Sequence, residues 1–117
     1  MKQKLLLLAL PMLALSAFLF QGNASSAEQP ELRILKFEAD WCGPCQQMKP
    51  IFKKVSSQFK DVSFQTIDVD KDPGNAKRFN VSILPTVIAV KNGEIVGRAT
   101  GFKNALQLKM FIKKYNR

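Results

Sequence analysis

Trp41-Cys42-Gly43-Pro44-Cys45 contains both cysteines of the chain, with two residues between them. A Cys-x-x-Cys between a strand pattern and a helix pattern reads first as a dithiol that can open and close. If Cys42 stands at the first turn of a helix, its sulfur meets unpaired backbone N–H groups and the positive end of the helix dipole. Both favour thiolate, the nucleophilic form. Cys45, three residues on, shares that helical face and can attack a mixed disulfide formed at Cys42. Pro44 has no N–H to leave unpaired in a first turn, and Gly43 lets a partner's backbone come close. Two other readings are a structural staple and half of a metal site. A staple across two residues removes little entropy from the unfolded chain. Zinc needs about four ligands, and the chain has two Cys and no His. Redox chemistry is the favoured reading, and it needs no metal or bound cofactor because the electrons sit on sulfur.

Upstream of the motif, residues 32 to 39 read as a strand in which Leu35, Phe37 and Ala39 alternate with Lys36 and Glu38. Downstream, a helix is expected over residues 42 to 59. Met48, Ile51, Phe52, Val55 and Phe59 share one face, and Pro50 should kink it. Residues 62 to 69 form a second strand pattern, residues 70 to 74 a turn, and residues 75 to 79 a short helix. Residues 86 to 90 and 94 to 100 read as a hairpin about Asn92-Gly93. Asn104 can cap a last helix in which Leu108, Phe111, Ile112 and Tyr115 share a face. The order βαβαββα implies a mixed sheet, with a parallel first pair and an antiparallel last one.

The N-terminus has a different character. Lys2 and Lys4 precede an apolar run over residues 5 to 20, and small residues follow at Gly22, Ala24, Ser25 and Ala27. This is the three-part pattern of a secretory signal. It places cleavage after Ala27, or alternatively after Ala24, and a domain over residues 28 to 117. The other reading is an uncleaved anchor, against which stand the short run and Pro11 in its middle. Cleavage after Ala27 lowers the net charge from +9 to +7. The cations are scattered, so they read as a solvated surface, and nucleic acid is not an expected partner. Export to a periplasm or the cell exterior puts the dithiol where disulfides persist, so a reductant there must be recharged by another protein.

Taken together, these stretches resemble the thioredoxin family. The resemblance rests on Phe37 through Cys45, Pro50, Asp68-Val69-Asp70, Pro73-Gly74, Ile83-Leu84-Pro85-Thr86, Lys91-Asn92-Gly93-Glu94 and Gly101, in the family's order and spacing. It implies an α/β three-layer sandwich around a mixed central sheet, with Cys42 as attacking and Cys45 as buried resolving cysteine. It also implies a cis bond before Pro85 and a shallow substrate groove bordered by Trp41, Gly43, Pro44, Leu84, Pro85 and Gly101. Disulfide-containing proteins would be the substrates of a monomer, with a membrane-bound electron donor and membrane contact only through the signal.

The sequence departs from the family's pattern in three places. The strand and helix that commonly open the fold are not expected before residue 32. Lys36 and Thr66 stand where thioredoxins typically carry a buried aspartate and its lysine partner. Glu38 stands where many members have an aromatic residue. A cation near the dithiol would stabilise thiolate and make the disulfide more oxidising. Alternatively, Lys36 extends to water over an exposed edge, and Glu38 either accepts a proton or pairs with Lys36. Three functions follow: an exported disulfide reductase or electron carrier, an exported oxidase or isomerase, and a non-catalytic assembly or chaperone module. The Gly-Pro pair between the cysteines favours the first by resemblance.

Overall fold

The computed structural model describes residues 31–117. The signal sequence, its cleavage point and the expected lack of an opening strand and helix all concern residues outside this range. Seven elements follow in order: β1 (Leu32–Glu38), α1 (Gly43–Ser56), β2 (Val62–Asp68), α2 (Pro73–Arg78), β3 (Thr86–Lys91), β4 (Glu94–Thr100) and α3 (Ala105–Tyr115). The four strands form one mixed sheet in the order β2-β1-β3-β4. β1 pairs with β2 in parallel and with β3 antiparallel, and β3 pairs with β4 antiparallel.

Helices cover both faces of this sheet. On one side Met48, Phe52 and Val55 of α1 and Leu108 and Ile112 of α3 pack on Leu32, Ile34, Val87 and Ala89. On the other, Phe79 and Val81, at and after the end of α2, pack on Leu35, Phe37, Ile88 and Val90. The two-sided cover changes the reading of β1. Alternation predicts a polar face at Lys36 and Glu38, yet both are buried, because β1 is an interior strand under α1.

Helix ends also differ from the sequence expectation. α1 stops at Ser56, short of Phe59, because the Ser56 and Ser57 hydroxyls donate to the carbonyls of Lys53 and Lys54 and satisfy the last turn. α2 begins at Pro73, two residues earlier than expected. Asp72 caps it by accepting from the Asn75 N–H at 3.1 Å, and Pro73 occupies the first turn. α3 starts where expected, with Asn104 and Gln107 forming a reciprocal capping box. The β3–β4 turn places Asn92 at φ 51° and Gly93 at φ 86°, the left-handed pair that a tight hairpin requires.

α3 sits close to β4 because Gly97 has no side chain. A Cβ built there would overlap the Tyr115 ring. Gly97→Ala should therefore cost about 1–3 kcal/mol by overpacking, measured as a lower urea midpoint. Adding Tyr115→Ala should recover part of the loss. An unchanged midpoint in the single variant would refute the contact.

Candidate functional site

The site forms where β1 ends and α1 begins. Cys42 is the N-cap of α1, in extended conformation (φ −91°, ψ 108°), and its Sγ accepts from the Cys45 N–H at 3.2 Å. Gly43 and Pro44 supply the first helical positions, and no acidic side chain lies in that turn to oppose a thiolate. Cys42 and Cys45 are joined as a disulfide. Their burial is unequal: Cys42 keeps 6% of its surface and Cys45 none. Both pack on Ala39, with Val69 and Leu84 alongside.

Neighbouring groups hold this turn in place. The Cys42 N–H donates to the Ala39 carbonyl, and the Gln46 amide donates to the carbonyls of Ala39 and Asp40. Asp40 itself is exposed. Trp41 is 71% exposed, and its indole N–H donates to Asp70 at 2.9 Å. Asp70 is held in turn by its own N–H on Asp68 Oδ1. Loss of this exposed bond should matter little to stability. Asp70→Ala is expected to cost less than about 1.5 kcal/mol, while the fluorescence anisotropy of Trp41, the chain's single tryptophan, falls as the ring is released. Unchanged anisotropy would contradict the restraint.

A cavity of about 280 Å³ opens beside Cys42, lined by Trp41, Cys42, Val69, Val81, Ser82 and Leu84. Of the residues expected to border a groove, Trp41 and Leu84 line this one. Pro85 and Gly101 are not among its lining residues; they are tied to each other, the Gly101 N–H donating to the Pro85 carbonyl at 2.7 Å, and the Leu84–Pro85 bond is cis. Gly101 has φ 88°, which suits glycine. Gly43 faces open space, with nothing within 4 Å of a built Cβ. Val69, Val81 and Ser82 were not singled out from sequence. Val69 lay within the Asp68-Val69-Asp70 signature and could have been.

Lys36 does not extend to water. Its side chain is 1% exposed, with Nζ 2.7 Å from Glu38 Oε1 and 5.0 Å from the centre of the Phe52 ring. Nζ lies outside hydrogen-bond alignment with Oε1, leaving that oxygen without a hydrogen-bond donor. Lys49, one turn beyond Cys45, approaches Glu38 Oε2 at 3.7 Å. A cavity of about 370 Å³ borders the cluster, with Thr66 in its wall. Among the described residues no group of three or more His, Cys, Asp or Glu is placed to hold a metal.

The thioredoxin family model matches residues 16–114, starting within the apolar N-terminal run. The chain belongs to the thioredoxin family. It is 41% identical to thioredoxin H2 of Arabidopsis thaliana over 76 residues, 65% of this chain and 57% of that one. It is 32% identical to a thioredoxin of Chlamydia trachomatis over 95 residues, 81% of this chain and 93% of that one. The chain thus spans little more than half of its plant relative and nearly all of its chlamydial one. Among solved structures, thioredoxin NaTrxh of Nicotiana alata superposes with a TM-score of 0.72 at 36% identity, covering 77% of each chain. The mixed sheet flanked by helices is thus a thioredoxin fold.

Proposed function

We propose that this thioredoxin-family protein is a thiol–disulfide oxidoreductase acting outside the cytosol. It reduces protein disulfides or relays electrons through Cys42 and Cys45. The observation that carries this reading is the disulfide at the N-terminus of α1, with one sulfur facing the groove and the other sealed beneath it. In the reduced protein the Cys42 thiolate attacks one sulfur of a substrate disulfide. A mixed disulfide forms and one substrate thiolate leaves. The Cys45 thiolate then attacks Cys42 Sγ, the second substrate thiolate leaves, and two electrons have passed to the substrate. An extended substrate segment fits the groove beside Trp41 and Leu84, where the backbone of Leu84, next to Pro85, can pair with it. The three-part N-terminal pattern supports export, and a membrane-bound donor would return the electrons.

The reduction potential of the full chain in thiol buffers, followed by Trp41 fluorescence, tests the direction. A value near about −270 mV supports a reductant, and one near about −120 mV would make the protein a disulfide donor. Glu38 beside Lys36 favours the first, since the added cation is matched by a carboxylate. Mass spectrometry of the exported protein tests the compartment: the reading requires a mature N-terminus at Glu28, or at Ser25 for the earlier cleavage.

A further inference from the structure

Charge is unevenly spread in this chain. Residues 95–117 contain six Lys and Arg and no Asp or Glu, whereas residues 31–94 contain ten against eight. The basic segment comprises most of β4 and all of α3, and between them lies a groove of about 490 Å³. Ala99, Met110 and Phe111 give it an apolar floor, with Lys103, Gln107 and Lys114 on its rim. The groove exists because β4 carries small side chains on this face. Tyr115 fills the space above Gly97, and Ala99 leaves the next space open. Lys103 is fixed at one end, its Nζ donating to the carbonyls of Thr100 and Gly101. Met110 stays 61% exposed, as does Leu106 one turn earlier at 65%. β4 is an edge strand, and among the described residues its outer backbone edge has no backbone partner.

We propose that this groove docks an extended, acidic segment of a protein partner, added alongside β4. A strand laid on that edge sends alternate side chains to the α3 face, where one apolar side chain fits over Ala99 against Met110 and Phe111. Acidic residues on either side of it meet Lys103 and Lys114. The open strand edge favours a strand-like occupant over a bilayer, and the lack of any acid in residues 95–117 favours a negative one. This groove shares no lining residue with the cavity beside Cys42, so docking here does not depend on the redox reading.

The test uses a fluorescein-labelled peptide, Glu-Glu-Phe-Glu-Leu-Glu-Glu, titrated with the oxidised full chain. Anisotropy is read at about 20 and 300 mM salt, and a peptide with Lys for every Glu serves as control. Binding of the acidic peptide alone is expected. Met110→Glu or Lys114→Glu should weaken it at least about tenfold. Lys77→Glu on α2 should change it less than about twofold, and amide signals of Ala99, Gln107 and Phe111 should shift on titration. No saturable binding, or equal binding to all three variants, overturns the proposal. So does failure of the peptide accompanied by binding to phosphatidylglycerol vesicles, which would make the face a lipid contact.

Discussion

Cys45→Ser should turn the protein from a catalyst into a trap. With Cys42 at the mouth of the groove and Cys45 fully buried, the first attack on a substrate survives this substitution and the release step does not. A mixed disulfide between Cys42 and substrate should accumulate to near one per chain, visible as a mass increase on a non-reducing gel and reversed by dithiothreitol. Cys42→Ser should give no such adduct, because the remaining sulfur has no path to substrate. Both variants should lose disulfide-reductase turnover by at least about a thousandfold. Equal trapping by the two variants, or turnover by either near the wild-type rate, would refute the assignment of roles.

The second large effect concerns stability. Glu38→Leu should cost about 3–5 kcal/mol, because it leaves the buried Lys36 ammonium beside the Phe52 ring without its carboxylate. Lys36→Met should cost less, since Glu38 retains Lys49 on its other oxygen and Lys49 is 45% exposed. The double variant Lys36→Met/Glu38→Leu should recover most of the loss, as buried pairs replaced by apolar groups of similar volume often do. For a domain with about 5–15 kcal/mol in total, the first variant would lose a large share of its stability. Urea unfolding of the three proteins gives the ranking. A Glu38 variant as stable as the Lys36 variant would show that water entering the adjacent cavity compensates the stranded charge.

Much of this architecture was legible in the residues. Helical spacing from Met48 to Val55 and the Asn92-Gly93 turn fixed element types, and the Trp41-to-Cys45 stretch marked the junction where the site lies. The fate of Lys36 was not legible. Period-2 alternation says which face a side chain occupies, but not whether a helix covers that face or where a four-carbon stem carries its ammonium. The early end of α1 was hidden for a similar reason: Phe59 continues the apolar periodicity, while two serine hydroxyls turning back on the helix end it. Val81 and Ser82 line the groove through a loop folding over β1, and no local pattern announces a long-range contact of that kind.

The unequal burial of the two sulfurs also limits throughput. In the proposed function electrons would enter and leave through Cys42 alone, so donor and acceptor would have to take turns at the same small opening. Initial-rate plots against one partner at several fixed levels of the other should therefore be parallel lines, the mark of a ping-pong sequence. Either partner in excess should inhibit the other's half-reaction. Traffic through such a protein depends on the ratio of its two clients as much as on their amounts.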